Sequence, residues 1–321
     1  MTTYKGIKGL SIQTVAGDPS NLAAGDIWYD SAAKKVQGAK TAAGAWASGT
    51  AVNTARRSSG AAGQTSTAAL IAGGIGGTQL NEIWNGSSWT ESGDLNAAKQ
   101  YAGAFGTSAS AVITGGIQAG LPDPNTTSFV ESWDNSSWTE IANINTGRAQ
   151  MATAGVSGTS GIIFGGVEHL QVTETWNGSS WTEVGDLNTG KEASGGTGTV
   201  TAALCASGVG GGTYTATVES FDGSSWTEIA DLNEGRQEGG LAGSTTFAIH
   251  FGGYGGLVNT EQYDGTSWTE VANLPASKTG MGDIGTYSSA LSISGYNNSA
   301  NVTATEEWTG DAAAAVTFTS S

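Results

Sequence analysis

Cysteine, histidine, proline and positive charge are all scarce in this chain of 321 residues, with 1 Cys, 2 His, 4 Pro and 12 Lys or Arg. A lone Cys205 excludes an intrachain disulfide and any cysteine-based zinc site. Within Ala203-Leu204-Cys205-Ala206 it reads as a small packed apolar residue. The bases are also unevenly placed. Residues 1–56 hold six bases against three acids, net +3, whereas residues 57–321 hold six against 25, net −19. The larger part has no spare cation for a phosphate backbone, so nucleic-acid binding by counterion release is close to excluded. Attraction to anionic lipid is disfavoured for the same reason, and no membrane insertion is expected. No apolar run approaches the ~18 residues of a spanning helix. Met1 to Leu10 lacks the apolar segment of a signal peptide. The expectation is a soluble protein made in a cytoplasm, which leaves a cell by lysis or inside a larger particle.

Glycine and tryptophan are abundant, with 51 Gly and 11 Trp. The tryptophans argue against disorder because ten of them fall in a repeat register. The stretch Glu82-Ile83-Trp84-Asn85-Gly86-Ser87-Ser88-Trp89-Thr90-Glu91 recurs at 131–140, 174–183, 219–228 and 261–270, with a partial copy at Glu306-Glu307-Trp308. A period of 40 to 50 residues decides the fold class. Asn85-Gly86, Asn177-Gly178, Asp222-Gly223 and Asp264-Gly265 predict tight hairpin turns, where φ > 0 is tolerated at least cost. Centring the first turn between Gly86 and Ser87 puts Trp84 opposite Trp89 and Glu82 opposite Glu91. The same arithmetic pairs Trp133 with Trp138, Trp176 with Trp181, Phe221 with Trp226 and Tyr263 with Trp268. Opposed carboxylates repel unless compensated. The candidates for compensation are Lys99, Arg148, Lys191, Arg236 and Lys278, each ten residues after the second Trp, and Arg57, eleven after Trp46. Arg148 is expected to lie near a Glu pair of its own or an adjacent unit and to satisfy both carboxylates. Five-fold recurrence favours a structural charge cluster over a Ca²⁺ or acid–base dyad.

Full units run over about 56–97, 98–146, 147–189, 190–234 and 235–276. Each reads as four strands: a small-residue strand such as Gly60-Ala61-Ala62-Gly63, an apolar strand ending in two glycines such as Ala69 to Gly74, and the two arms of the Trp hairpin. Ser207-Gly208 and Ser294-Gly295 replace the glycine doublet in two units. A unit with two apolar faces cannot bury both alone, so neighbours must stack around an axis. This succession of a base, a small strand, an apolar strand with Gly-Gly, Glu-x-aromatic and then Trp resembles the kelch repeat. The resemblance spans about residues 44–310 and implies a six-bladed all-β propeller. Residues 277–310 form a sixth unit that lacks its Trp-Thr-Glu strand. Gly44-Ala45-Trp46-Ala47-Ser48-Gly49 is an orphan fourth strand, so Trp308 is expected to pair with Trp46 and close the ring. The competing closure uses Ala314 to Thr319.

Residues 1–43 lie outside the repeat and 311–321 form a tail. Gly25-Asp26-Ile27-Trp28-Tyr29-Asp30 and Lys35-Val36-Gln37-Gly38 read as a β-hairpin around Ser31-Ala32-Ala33. This hairpin resembles one common near the N-termini of bacteriophage tail-fibre and other virion proteins. The resemblance implies a segment that attaches to other virion proteins, placing the protein in a virion.

The enzymes among kelch proteins that the chain could resemble are copper oxidases, which need several metal ligands and a Cys–Tyr crosslink. His169 and His250 sit in different units, His250 in strand alternation and His169 in a loop. A sialidase-like arginine triad is weak, because Arg57, Arg148 and Arg236 are explained by the register. No nucleophile motif or phosphate loop stands out. No catalytic, cofactor or metal site is therefore expected. The variable loops after the apolar strand are the candidate binding surface: Asp123 and Asn125 in the longest, Tyr214 in the fourth unit, and Asn297 and Asn298 in the last. Polar loops with an aromatic suit a saccharide or another protein. The expected function is a non-enzymatic virion structural protein, a tail fibre or appendage recognising the host surface, with a homo-oligomer possible. A capsid-bound decoration protein is the alternative, and a carbohydrate-active enzyme a weaker one.

Overall fold

The computed structural model describes residues 13–17, 19, 26–75, 79–118, 126–310 and 312–317. The described residues are strands and turns, with no helix. The chain divides into two compact units, residues 1–44 with 310–321, and residues 45–309.

The smaller unit contains one four-stranded sheet in the order Gln13–Val15, Ile27–Asp30, Lys35–Ala42, Ala312–Thr317. The expected hairpin is present, with Asp30 opposite Lys35. Trp28 and Asp30 are buried, while Ile27 and Tyr29 are exposed, the alternation of a strand with one covered face. Asp30 Oδ1 accepts the amides of Gly17, Ala32 and Ala33, which fixes the turn and lowers the carboxyl pKa. Residues 312–317 are not a separate tail. They pair antiparallel with Lys35–Ala42, so both ends of the chain share one sheet.

The larger unit contains six four-stranded antiparallel sheets among the described residues, numbered I to VI here. Their first strands are Gly60–Thr65, Gly103–Thr107, Ala152–Ser157, Gly195–Thr199, Gly240–Gly243 and Gly282–Thr286. The second strands, such as Ala68–Ala72 and Ser160–Phe164, are almost wholly buried. The third and fourth strands are the arms of the Trp hairpin, for example Asn81–Trp84 and Trp89–Ser92. Sheet VI takes its fourth strand, Ala45–Ser48, from the start of the unit, with Trp46 opposite Trp308. Of the competing Ala314 to Thr319 stretch, residues 314–317 do not take that edge, because they pair within the smaller unit, and residues 318–319 lie outside the described residues.

The paired rings fall where turn arithmetic puts them. Centroids are 5.4 Å apart for Trp84–Trp89, 5.4 Å for Trp133–Trp138, 5.2 Å for Trp176–Trp181, 5.1 Å for Phe221–Trp226, 5.1 Å for Tyr263–Trp268 and 5.4 Å for Trp46–Trp308. The fourth-strand ring also reaches the preceding sheet. Trp226 stacks edge-on against Phe164 at 4.7 Å, and Trp46 against Phe251 at 4.8 Å. Each pair thus cements two sheets. Every one of the larger unit's hydrophobic clusters draws on adjacent sheets, as the one uniting Ile162, Phe164, Cys205 and Trp226 does.

The first strands are poor in side-chain bulk because six of them converge. A Cβ at Gly60 would lie 2.9 Å from Ala104 Cβ in the next sheet, closer than carbon atoms pack. Sheet III has Ala152 at that position, and sheet IV compensates with Gly196, where a Cβ would come 3.1 Å from Ala152 Cβ. A backbone cycle joins all six sheets at one mouth of the resulting channel. The amide of Ser58 donates to Gly280 O, Gly280 to Glu238 O, Glu238 to Ala193 O, Ala193 to Gln150 O, Gln150 to Tyr101 O, and Tyr101 to Ser58 O, at 2.7–3.0 Å.

Candidate functional site

The recurrent charges form rivets between sheets. The carbonyl of each register base accepts the amide of the second doublet residue of the sheet before it, as Lys99 O accepts from Gly74 and Arg148 O from Gly116, both at 2.8 Å. Its side chain reaches forward to the buried Glu of the next sheet. The pairs are Arg56–Glu82, Lys99–Glu131, Arg148–Glu174, Lys191–Glu219, Arg236–Glu261 and Lys278–Glu306. All six bases are buried. Burial pulls the pKa of the three arginines and of Lys99 and Lys278 down, and the partnering Glu opposes that shift.

Two expectations are corrected here. The register base before sheet I is Arg56, ten residues after Trp46 like all the others, and not Arg57. Arg56 is the one that reaches Glu82 and the carbonyls of Thr54 and Leu80. Arg57 is half-buried, with its guanidinium 4.3 Å from the centre of the Tyr296 ring. Nor does Arg148 satisfy both carboxylates of a pair. The Glu residues do stand opposite one another, as Glu174 does Glu183. Only the first is buried and paired, while Glu91, Glu140, Glu183, Glu228 and Glu270 are exposed. Water relieves the second charge, and an asparagine helps to hold the first. Asn145 donates its amide and Nδ2 to Glu174 Oε2, each at 2.7 Å, and Nδ2 also reaches Trp181 O. Asn53, Asn96, Asn188 and Asn233 occupy the same place. The signal was readable, since each follows a buried aliphatic residue in Val52-Asn53, Leu95-Asn96, Ile144-Asn145, Leu187-Asn188 and Leu232-Asn233. The sixth copy is Leu274-Pro275, so Glu306 receives no such donor there.

His250 is buried in sheet V, as its alternation predicts. Ser207, standing where four of the units have glycine, meets His250 Nε2 through its hydroxyl at 3.0 Å. Burial and the nearby Arg236 hold His250 well below its ordinary pKa. His169 is partly exposed, 3.9 Å from Glu192 Oε2. Among the described residues no group of three His, Cys, Asp or Glu side chains converges as metal ligands would.

The connecting loops that follow the second and fourth strands gather at the mouth with the backbone cycle. Asp123 and Asn125 lie outside the described residues. Tyr214 is 52% exposed and stands edge-on to Tyr254 at 6.3 Å, so the fourth and fifth loops share an open aromatic surface. Asn297 Oδ1 is spent within its own turn, accepting the amides of Ser299 and Ala300. Asn298 holds a left-handed conformation, with Nδ2 against Gly256 of the neighbouring loop. The structure thus brings Tyr214 to Tyr254 and Asn298 to Gly256, and assigns Asn297 to the turn.

A channel cavity of about 380 Å³ runs along the first strands and continues into a pocket of about 120 Å³ at the loop-end mouth. The channel wall is neutral except for Asp283, whose Oδ2 accepts the amide of Leu241 at 2.9 Å. Loss of water raises the Asp283 carboxyl to about 7, although one side of the group faces the cavity and the residue is only half-buried. The pocket is bordered by the six residues of the backbone cycle, all with φ between 52° and 58°. Five of them, Ser58, Tyr101, Gln150, Ala193 and Glu238, are not glycine, in a conformation that costs such residues about 1 kcal/mol or more each. Sequence inspection missed them, because the residue type varies from unit to unit while the backbone does not.

No family model and no curated protein matches the sequence. The solved structure of YjhT is similar in fold, with a TM-score of 0.68 at 14% identity, covering 80% of this chain and 95% of that one. At that identity the likeness bears on the fold alone. The fold is β-propeller-like.

Proposed function

We propose that the chain is a non-enzymatic bacteriophage virion protein, a tail fibre or similar appendage, whose larger unit is a six-bladed kelch-like propeller recognising a host-surface saccharide or protein through its loop end. The observation that carries the reading is the loop-bearing end of the larger unit, where the Tyr214–Tyr254 pair and the Asn298 loop are exposed. Open aromatic rings beside polar loops suit recognition. The six sheets, the Gly-Gly doublets and the closing Trp46 strand support the six-bladed kelch-like assignment.

The test is competition. Purified protein should block adsorption of the particle to its host, and antibody raised against the chain should label the tail. Tyr214→Ala with Tyr254→Ala should weaken the block about tenfold or more, the loss expected for roughly 1.4 kcal/mol. Labelling of the capsid with no effect on adsorption would replace this reading with a decoration protein.

A further inference from the structure

The loop-end pocket combines a cavity, a strained rim and an unpartnered polar atom. At the rim, six residues share one left-handed backbone and close one hydrogen-bond cycle, yet they carry different side chains. Gly280 shows that glycine fits this position, and glycine would remove the strain. Retaining Tyr101, Gln150 and Glu238 there makes structural sense only if their side chains do something. Residues held in sparsely populated backbone regions cluster at ligand sites for that reason. All three line the pocket. Thr279 Oγ1 donates to Glu238 Oε2 at 2.9 Å and holds that carboxylate in place. Ser58 Oγ is buried at the same rim without a hydrogen-bond partner among the described residues. Asp283 lies at the floor, where pocket and channel meet.

We infer that this pocket binds one terminal sugar unit of a saccharide, neutral or bearing an amine, with Tyr101 against a sugar face and Gln150, Glu238 and Ser58 on its hydroxyls. This inference rests on the saccharide form of the proposed function and moves the primary contact from the outer loops to the channel mouth. The pocket of about 120 Å³, open to the channel, has room for one ring and not for a folded peptide. The Glu238 carboxylate and the Asp283 carboxyl line it with no cation, so a hydroxyl or ammonium is favoured and a sugar carboxylate is repelled. An aromatic ring with a few convergent polar groups is the ordinary composition of a small-ligand site.

The test titrates glucosamine, glucose and glucuronate into the full chain by calorimetry or ligand-observed NMR. Glucosamine and glucose should bind, and glucuronate should bind at least about tenfold more weakly, the effect of roughly 1.4 kcal/mol of repulsion. Tyr101→Gly, Gln150→Gly and Glu238→Gly should each weaken binding about tenfold while the melting midpoint holds or rises, because glycine relieves the left-handed backbone. Phe247→Ala, at an exposed ring that lines neither pocket nor channel, should leave these affinities unchanged. Sugar binding that survives the three glycine variants but is lost in Tyr214→Ala would overturn the pocket assignment and leave saccharide recognition standing. Equal binding of glucuronate, or no binding of any of the three sugars, would also overturn it. The wider proposal is judged separately by the adsorption assay.

Discussion

Replacing Arg148 with methionine probes the rivet that joins sheets II and III. Arg148 is fully buried and spends its guanidinium on one carboxylate and several carbonyls. Nη2 pairs with Glu174 Oε1, Nη1 donates to Val172 O at 2.7 Å, and Nε to Thr146 O at 3.2 Å. Removing one partner of a buried pair costs about 3–5 kcal/mol, because the other charge is stranded. The two donors of Asn145 stay on Glu174 and offset part of that cost. The carbonyls of Thr146 and Val172 lose their donors, at about 1 kcal/mol each. The two corrections roughly cancel, so Arg148→Met should lower the unfolding free energy by about 4 kcal/mol in urea titration. Adding Glu174→Gln should restore about 2 kcal/mol, since a neutral amide strands no charge and still accepts from Asn145. Arg148→Lys should cost only about 1 kcal/mol. Lys191 already shows that geometry, with Nζ 3.4 Å from Glu219 and 3.1 Å from Thr217 O. A loss under about 1.5 kcal/mol for Arg148→Met, or strict additivity with Glu174→Gln, would refute the reasoning, because a stranded buried charge must produce coupling.

Pro275→Asn should supply sheet VI with the missing donors to Glu306 and stabilise by about 1 kcal/mol, measured in the same titration; destabilisation would mean the asparagines do not act as carboxylate donors. Trp181→Ala should cost about 3–5 kcal/mol, since the ring packs at 5.2 Å from Trp176 and its Nε1 donates to Ala142 O at 3.0 Å, and a melting shift under a degree would contradict this. Deleting residues 1–55 removes the fourth strand of sheet VI and should give an aggregating protein without a cooperative melt, because an inner sheet edge is bared; a monodisperse, cooperative product would refute closure by Trp46. Acid and neutral pH should act through different residues. His250 has a lowered pKa, so its contribution is complete above 6.5 and is lost as pH falls below it. Asp283 is raised from 3.8 to about 7, so its contribution is complete below 3.8 and is lost as pH rises towards 7. Melting profiles of His250→Gln and Asp283→Asn should flatten on the acid and the neutral side respectively.

Much of the larger unit is legible because its side chains obey a period. The pairing of Trp84 with Trp89 follows from a turn centred on Gly86-Ser87, and every other pair follows by translation. The orphan strand at Trp46 is legible for the same reason, since a repeat with one strand too many at the front and one too few at the back must close on itself. The sharing of one sheet by both chain ends is not legible, because residues 312–317 carry no turn or register signal that points to Lys35–Ala42. The first register base is ambiguous by one residue because Arg56 and Arg57 are adjacent, and the ten-residue spacing in the other five units points to Arg56.

The charges were legible as a set but not in their division of labour. Strand alternation says that Glu174 and Glu183 share a face, and they do. It cannot say that one is covered while the other meets water, because that depends on place in the sheet: Glu174 lies on the third strand, between two others, and Glu183 on the outermost strand. The asparagine that divides them is local to a different sheet. The loop-end rim escapes sequence inspection for the opposite reason. There the backbone repeats and the side chains do not, so a search for recurrent residues passes over Ser58, Tyr101, Gln150, Ala193, Glu238 and Gly280. In a repeat protein, constant side chains at a position argue for scaffold. Varied side chains on a constant, strained backbone argue for recognition, because strain kept without a structural return needs another cause. By that criterion the Trp, Glu and base positions hold the sheets together. The six rim positions are where this chain differs from a bare scaffold.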